Sequence, residues 1–233
     1  MVDPITLPLE QVVHAPIWFY TPFERILLRK SVSIDRRPKT HNLIPWMMTI
    51  KRCFDVLASA IGLLIFGGPI IVTILIVRLT SRGRGLFAQE RIGRDCKPFI
   101  CYKIRTMYEE TRVAATHEIR SSSVTPVGRW LRTLKIDELP QLWNVLRGDM
   151  SLVGPRPCLP SQTELINKRL ERGVYRIRPG ISGKAQTLGI DMSDPERLAR
   201  VDAEYLNERT FLGDLLILAR TFSRKSRQDR VSL

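Results

Sequence analysis

Residues 62–74 read "GLLIFGGPIIVTI" and lie inside a run of 22 uncharged residues from Val56 to Val77. As one helix this run would measure about 33 Å, enough for a hydrocarbon core about 30 Å thick. Its middle, residues 67–69, is Gly-Gly-Pro. Proline removes a helical hydrogen bond and glycine eases a sharp bend. The run is therefore predicted to break near Gly68 and Pro69 into halves of about 18 and 12 Å, each too short to cross a membrane alone.

Basic residues flank the apolar run on both sides. Lys51 and Arg52 precede it, and Arg78, Arg82 and Arg84 follow it. Basic flanks favour the cytoplasmic face, so both ends favour the same side of a membrane. A re-entrant helix that enters one leaflet and returns satisfies both flanks, and we expect this form. A straight span stays open as an alternative, because proline is common in membrane helices. A buried helix of a soluble domain is a second alternative.

The overall composition is that of a basic chain able to fold. It has 233 residues, 44% of them hydrophobic, which is enough for one domain with a real core. The formal net charge of +14 predicts a polyanionic partner: nucleic acid, an anionic lipid surface or phosphorylated substrates. The first residues, "MVDPITLPLEQ", lack a basic segment followed by an apolar stretch, so no secretory signal is predicted.

Four cysteines are spread along the chain without the spacing of a zinc site or a redox motif. They are Cys53, Cys96, Cys101 and Cys158. Such cysteines are typical of small buried hydrophobic residues in a reducing compartment. We therefore expect no disulfide and a catalytic part in the cytoplasm.

The remaining pattern predicts an α+β fold that is mainly helical. A β-hairpin is expected around "GRDCKP", and helices near residues 160–172, from Pro195 onward and over the apolar segment Phe211 to Phe222. Residues 109–123 are predicted as a loop or weak helix, and "YRIRPGISGKAQ" as a loop punctuated by glycine and proline.

Three regions are predicted along the chain. Residues 1–45 form a proline-rich extension, in which Phe19, Phe23, Ile26 and Leu27 follow helical spacing; such a helix could lie on a membrane or pack on the domain. Residues 46–225 form a membrane-associated domain that contains the re-entrant helix 56–77. Residues 226–233 form a basic tail.

The stretch "KIDELPQLWNVLRGDM" carries the best candidates for chemistry. Asp137 and Glu138 precede Leu139-Pro140, and proline is tolerated in a first helical turn, so Asp137 is predicted as a helix cap or first-turn residue. An aspartate cap followed by a first-turn glutamate is also common at the start of helices that have no catalytic role.

Arginines beside glycine or proline strengthen the functional interpretation. Arg156 lies in "GPRP", Arg178 in "RPG", and Arg132 five residues before Asp137. Rigidly held guanidinium groups suit phosphate oxygens, and carboxylates beside them could bind Mg²⁺ or attack a pyrophosphate. Together these residues predict a phosphate-handling site.

From Lys51 to Phe222 the chain resembles the bacterial sugar transferase family, the monotopic polyprenyl-phosphate phosphoglycosyltransferases. The motifs that carry the resemblance are "KRCFD", "FAQERIG", "YKIRTM", "VGRWLR", "DELPQLWNVLRGDMSLVGPRP" and "RPGISGKAQ". The resemblance implies transfer of a phospho-sugar from a UDP-sugar to polyprenyl (undecaprenyl) phosphate, with release of UMP. It further implies the minimal catalytic unit of the type that initiates exopolysaccharide or other surface glycan synthesis, on the cytoplasmic face of the bacterial inner membrane.

The resemblance also implies roles for individual residues. Asp137 would be the nucleophile that forms a covalent phospho-sugar intermediate and the residue at which Mg²⁺ lies, with Glu138 as its partner in proton handling or metal positioning. The residues expected to hold phosphates or order the site are Arg132, Arg156, Arg178, Lys103 and Arg105. Pro69 matches the proline that breaks the re-entrant helix of the family.

Some positions depart from the family pattern. Gly68 stands where serine is usual, Lys184 where an apolar residue is usual, and "LGIDMSD" replaces an "NGR"-like stretch. The sugar is therefore not predicted.

Two other classes of protein share some of these features. A nucleic-acid-binding protein suits the charge, but no basic-aromatic strand signature or helix-turn-helix pattern is present, so no nucleic acid partner is expected. A membrane-anchored glycosidase using Asp137 and Glu138 is disfavoured, since adjacent helical residues point about 100° apart and cannot face each other across a sugar bond.

Overall fold

The computed structural model describes residues 45–108 and 123–223, with side chains described over 49–108 and 123–221. The predictions made for residues 1–44, for 109–122 and for the basic tail lie outside these ranges. The helices and strands run as follows: α1 Pro45–Thr80, β1 Leu86–Ile92, β2 Pro98–Ile104, α2 Pro126–Leu134, α3 Gln141–Arg147, β3 Ser151–Val153, α4 Thr163–Glu171, β4 Gly180–Ser182, α5 Lys184–Leu188, α6 Pro195–Glu208 and α7 Phe211–Ser223.

The described part of the chain is mainly helical, with one small antiparallel sheet and one short parallel strand pair. The prediction of an α+β fold is confirmed. The predicted helices near 160–172, from Pro195 and over the last apolar segment correspond to α4, α6 and α7.

Helix α1 contains the whole apolar run and continues through residues 67–69. The prediction that Gly68 and Pro69 break the run into two half-helices is therefore wrong. Proline removes its own N–H from the ladder and its ring crowds the carbonyl four residues earlier, but the turns on either side keep their hydrogen bonds and stay helical here. Thr73 adds a bond of its own, as its hydroxyl donates to the carbonyl of Pro69 at 2.7 Å. Whether the helix re-enters or spans stays a prediction.

Large apolar side chains on α1 are exposed along most of its length. Leu64 is 84% exposed and Leu79 86% exposed. By length and composition, residues 49–80 could cross a membrane, and little of this stretch is buried against the protein. A buried core helix would show the reverse, so the exposure of α1 within the described residues disfavours the alternative of a helix inside a soluble domain.

The hairpin forms where the alternating pattern predicts it. Strands β1 and β2 are antiparallel, with Phe87 opposite Lys103, Gln89 opposite Cys101 and Arg91 opposite Phe99. Directly opposite residues share a face of the sheet, and so do residues two or four apart on one strand. Lys103 lies opposite Phe87, which is four residues before Arg91, so Arg91 and Lys103 project on the same side. The hairpin thus gathers two cations of separate motifs onto one surface.

The loop predicted for "YRIRPGISGKAQ" is wrong in part. Residues of β4 pair in parallel with β3, Ser151 with Gly180, and a short helix α5 follows. The two backbone segments approach so closely that a Cβ at Gly180 would lie 2.0 Å from the nitrogen of Gly154. Strands of three residues are too short to show a period, so the sequence reveals only their glycines.

A buried ion pair joins α4 to α6. Arg169 donates to Asp202 through Nε at 2.9 Å and through Nη2 at 2.6 Å, and both side chains are nearly inaccessible. The third nitrogen, Nη1, donates to the carbonyl of Arg156 at 2.9 Å. The pair therefore holds the loop that carries Arg156.

Three of the four cysteines behave as small buried residues. Cys96, Cys101 and Cys158 are buried, and burial raises the pKa of the Cys96 thiol to about 12. Cys53 is exposed on α1, so the prediction of burial is wrong for it. Its position on the exposed apolar helix accounts for the difference.

Candidate active site

The acidic pair lies in a single 3₁₀ turn, Ile136–Glu138, between α2 and α3. Lys135 ends α2 in the left-handed conformation, with φ of 57°, and turns the chain into this short element. Of the two predicted positions for Asp137, helix cap or first-turn residue, the structure shows the second: Asp137 lies in the first turn of the 3₁₀ element, and Pro140 precedes α3. Asp137 and Glu138 are only 6% and 8% exposed. The turn thus places two carboxylates on a buried surface.

Two cations converge on one oxygen of Glu138. Lys103 Nζ lies 3.0 Å and Arg156 Nη2 lies 2.9 Å from Glu138 Oε1. Lys103 comes from β2, and Arg156 comes from the loop after β3. The structure therefore brings Lys103, Arg156 and the acidic pair together, as the sequence predicts.

The charge state of Glu138 follows from these neighbours. Burial alone would raise the pKa of its carboxyl, but the charges of Arg156 and Lys103 outweigh burial and hold the pKa well below its ordinary range. Glu138 is then ionised at neutral pH. This disfavours the proposed part in proton handling and leaves a part in positioning cations or metal.

Arg91 is a member of the cluster that sequence reasoning missed. Its Nη1 donates to the carbonyl of Pro157 at 3.2 Å, beside Arg156. Burial, and after it the charge of Arg156, lowers the pKa of Arg91 to about 10, while Glu138 acts in the opposite sense. The alternation of the predicted hairpin could have found it, since Arg91 shares a face with Lys103.

Asn144 holds the hairpin against the acidic turn. Its side chain is fully buried; Oδ1 accepts from the N–H of Tyr102 at 3.1 Å, and Nδ2 donates to the carbonyl of Ile100 at 2.6 Å. These bonds satisfy the open edge of β2, which would otherwise leave backbone groups unpaired. Lys103 is the next residue of that strand, so Asn144 sets its position relative to Glu138.

Arg132 lies at the end of α2, close to the acidic turn in the chain. Its Nε donates to the hydroxyl of Thr106 at 2.9 Å. Its Nη1 is buried and has no hydrogen-bond partner within the described ranges. A buried guanidinium nitrogen without a partner suits an incoming anion, so Arg132 keeps its predicted role as a candidate phosphate ligand.

Arg105 and Arg178 lie elsewhere. Arg105 follows β2, and its side chain is buried against the end of α1. There its Nη2 donates to the carbonyl and hydroxyl of Ser81 at 2.9 and 2.7 Å. It thus pairs with backbone groups that a helix end leaves open. Arg178 donates through Nε to the carbonyl of Gly148 at 2.8 Å. It lines a cavity to which the acidic turn does not contribute. Neither contacts the carboxyl of Glu138 in the described structure.

Lys184, a departure from the family pattern, has a partner of its own. Its Nζ lies 3.2 Å from Glu204 Oε2 and 2.9 Å from Glu208 Oε2, both on α6. The charge at this position therefore joins α5 to α6.

The acidic turn offers carboxylate oxygens to Mg²⁺. The described residues contain no cluster of three or more His, Cys, Asp or Glu side chains. Mg²⁺ does not require one, because it commonly takes one or two carboxylates, water and substrate phosphates. Both cations contact Oε1 of Glu138, so its second oxygen and the carboxylate of Asp137 form a donor set of the right chemistry.

Comparison with known proteins bears on the same residues. A family model described as bacterial sugar transferase matches residues 46–228. An undecaprenyl-phosphate glucose phosphotransferase of Komagataeibacter xylinus is 38% identical over 217 residues, which cover 88% of this chain and 40% of that protein. The chain thus spans well under half of that relative's length.

Two further relatives are shorter. An uncharacterized sugar transferase, EpsL, of Bacillus subtilis is 40% identical over 75% of this chain and 86% of its own length. A UDP-glucose:undecaprenyl-phosphate glucose-1-phosphate transferase of Caulobacter vibrioides is 39% identical over 73% of this chain and 67% of its own length. With its acidic turn inside the matched region, this chain belongs to the bacterial sugar transferase family.

Proposed function

We propose that this protein transfers a phospho-sugar from a UDP-sugar to undecaprenyl phosphate, releases UMP and so initiates the synthesis of an exopolysaccharide or another surface glycan. The observation that carries the proposal is the buried Asp137–Glu138 turn with Lys103 and Arg156 gathered on it. The names of the relatives, which mention undecaprenyl phosphate and sugar phosphates, support the same reaction class.

The first step is attack on the donor. A carboxylate oxygen of Asp137 bonds to the phosphorus next to the sugar, and the bond from that phosphorus to the bridging oxygen breaks. UMP leaves with the bridging oxygen and the bonding electrons. The product is a phospho-sugar joined covalently to Asp137, which lets two anionic substrates be handled one at a time.

The second step regenerates the enzyme. A phosphate oxygen of undecaprenyl phosphate attacks the same phosphorus, and the bond to the Asp137 carboxylate breaks. Undecaprenyl diphosphate-linked sugar is released, and Asp137 returns to its starting state. The ionised acceptor needs no strong base, in keeping with the low pKa of Glu138.

The cations supply what phosphoryl transfer needs most, positioning and charge neutralisation. Glu138 holds Lys103 and Arg156 in place, and the buried Nη1 of Arg132 is a further donor. Arg91 adds positive charge beside Arg156. Asp137 and the second oxygen of Glu138 would hold Mg²⁺, which neutralises phosphate charge when bound.

The contacts of α1 support the re-entrant placement. Asp55, near its start, accepts from the hydroxyl of Ser151 at 2.7 Å. Val77, near its end, packs with Ile104 and Leu131. In a straight helix these ends would be about 33 Å apart, about the thickness of a hydrocarbon core. The partners of both ends belong to the part of the protein that follows α1, and this part cannot lie on two sides of a membrane at once. We place it on the cytoplasmic face of the inner membrane.

The reaction is tested by UMP release from a panel of UDP-sugars, with and without undecaprenyl phosphate, by membranes containing the protein. We expect release with at least one donor and turnover only with the lipid. Asp137→Asn should abolish turnover, since an amide is a poor nucleophile. The control Glu164→Gln changes an exposed carboxylate on α4, outside the turn, and should keep activity. Near-normal UMP release by Asp137→Asn would disprove the assignment.

Metal dependence is tested separately. Chelation with EDTA should stop UMP release, and Mg²⁺ should restore it, because two carboxylates and a diphosphate that converge on one site need a hard cation. Full activity after exhaustive chelation in metal-free buffer would remove the metal from the scheme.

A further inference from the structure

A cavity of about 320 Å³ lies apart from the acidic turn. Its walls come from the start of α1, the loop of the hairpin, the segment around Arg178 and the start of α7. Lys103, Asp137, Glu138 and Arg156 are not among its lining residues. The contacts of the acidic turn therefore assign no use to this cavity.

The cavity is strongly basic. Two acidic residues line it, Asp55 and Asp214, against six basic ones: Lys51, Arg52, Arg94, Arg176, Arg178 and Arg209. Asp214 neutralises one of these cations, since it pairs with Lys51 at 2.5 Å; it also accepts from Tyr205 at 2.7 Å, and Asp55 accepts from Ser151. Most of the positive charge thus lacks a counter-charge in the described structure.

Arg94 pairs with Asp95, Arg52 and Arg178 donate to backbone carbonyls, and two arginines of the cavity have neither kind of partner in the described ranges. Arg176 and Arg209 form no ion pair or side-chain hydrogen bond in the described ranges, although both line the cavity. Burial lowers the pKa of Arg209. The pKa of Arg178 is lowered by burial and then by the charges of Arg94 and Arg52. Guanidinium groups crowded in this way are stabilised by an anion that lies among them.

Apolar surface leads out of the cavity. Ile50 and Phe211 line it, and the ring of Phe211 packs edge-on against Phe54 at 5.3 Å between centroids. Beyond the cavity, Leu212 on α7 is 67% exposed and Leu57 on α1 is 63% exposed. An apolar chain attached to an anion in the cavity would find these side chains in its path.

We propose that this cavity binds the phosphate group of a membrane lipid, with the lipid chain lying along the exposed apolar side chains of α1 and α7. The phosphate oxygens accept hydrogen bonds from Arg176 and Arg209, with Arg94 and Arg178 adding charge. A diester headgroup of a bulk phospholipid and the monoester of an isoprenoid phosphate share this chemistry. The proposal rests on the membrane placement of α1 and does not depend on the transfer reaction.

The test is calorimetric titration of the full chain in a neutral detergent. The probes are dihexanoylphosphatidylglycerol, farnesyl phosphate, dihexanoylphosphatidylcholine and inorganic phosphate. The test variant is Arg176→Gln/Arg209→Gln. The matched control, Arg197→Gln/Arg200→Gln, removes the same charge from exposed arginines of α6 that do not line the cavity.

We expect at least one of the two anionic lipids to bind, and the test variant to weaken it by at least about tenfold, the effect of losing one charge-assisted hydrogen bond. The control should bind as the natural chain does. Arg176→Lys/Arg209→Lys, which keeps the charge, should retain more binding than the glutamine variant, and this comparison guards against a folding defect. Whichever anionic lipid shows the loss identifies the source of the phosphate.

Three results would overturn the proposal. They are equal lipid binding by the test variant and the natural chain, an equal loss in the control variant, and binding of inorganic phosphate or of the zwitterionic lipid as tight as that of the anionic lipids. No UDP-sugar is present in these titrations, so a failure here leaves the transfer reaction untouched, and a failure of the reaction leaves this result valid.

Discussion

Glu138 shows how one side chain can prepare a site for anions. A single oxygen accepts from Lys103 and Arg156, so two cations lie beside Asp137 before any substrate arrives. Mutual repulsion would otherwise spread these cations apart. Preorganised charge of this kind is worth more in a buried site than in water, because little reorganisation is needed when the phosphate binds.

The low pKa of Glu138 predicts a pH-dependent contribution to stability. The folded pKa lies below the ordinary value of about 4.3, so the ionised carboxylate stabilises the fold above that pH and this contribution is lost as the pH falls further. Glu138→Gln should lower the free energy of unfolding at pH 7 by about 1–3 kcal/mol. Thermal unfolding followed by tryptophan fluorescence measures the difference, which should shrink below about pH 4.

Glu164→Gln is the matched control, because Glu164 is exposed on α4. It should unfold like the natural chain across the same pH range. A gap between Glu138→Gln and the natural chain that stays constant down to pH about 3 would show that the ion pairs contribute no pH-dependent stability. Glu138→Gln should also impair UMP release severely, since Lys103 and Arg156 lose their common partner.

Single residues were predicted unevenly from the sequence. Lys103 and Arg156 were expected in the site and lie at Glu138, whereas Arg105 and Arg178, expected there too, bond to the carbonyls of Ser81 and Gly148. Arg91 was missed. A motif tells which residue types occur together in a family, but whether an arginine meets a carboxylate or a carbonyl depends on long-range contacts.

Among the elements, the hairpin and α3 are joined by one buried amide. Asn144→Ala would leave the N–H of Tyr102 and the carbonyl of Ile100 unpaired, at about 1–3 kcal/mol for each group. We expect a lower unfolding temperature and reduced UMP release, because Lys103 is no longer held at Glu138.

The control for this change is Asn207→Ala, on an exposed position of α6. It should leave both the unfolding temperature and UMP release close to those of the natural chain. If Asn144→Ala unfolds at the natural temperature and keeps its activity, the hairpin is held by other contacts.

Elements with a long or alternating pattern were predicted well, and short ones were not. The hairpin, α4, α6 and α7 repeat their apolar positions often enough to be recognised. Strands β3 and β4 have three residues each and are stabilised by close packing at Gly154 and Gly180. The predicted break at Pro69 overstated a local rule, because one missing hydrogen bond does not end a helix of 36 residues.

For the whole molecule, the placement of α1 decides which side of the membrane the site faces. Single cysteines at Thr49 and Glu90, in a background lacking the four natural cysteines, report on the two flanks. If α1 is re-entrant, both should be shielded from a membrane-impermeant thiol reagent in intact cells and both should react once the inner membrane is opened. Both positions are exposed in the structure, so the membrane alone would shield them.

Pro69→Ala probes the same equilibrium. It adds the one backbone hydrogen bond that the continuous helix α1 lacks and so stabilises a straight span across the membrane; we therefore expect labelling of one flank in part of the population, with lower UMP release. The basic flanks oppose a complete change. A reactive cysteine of a periplasmic protein serves as the control for reagent access. Labelling of one flank of the natural chain in intact cells would refute the re-entrant placement.

The sequence by itself determined the family, the apolar helix, the hairpin and the candidate residues of the acidic turn, because each depends on local pattern or on a contiguous motif. Only the tertiary structure decided which cations reach Glu138, since Lys103 comes from 35 residues upstream and Arg156 from 18 residues downstream. It also placed Arg178 in the basic cavity and Arg105 at the end of α1. A side chain's partner is set by how elements pack, and that information is spread over residues far apart in the chain.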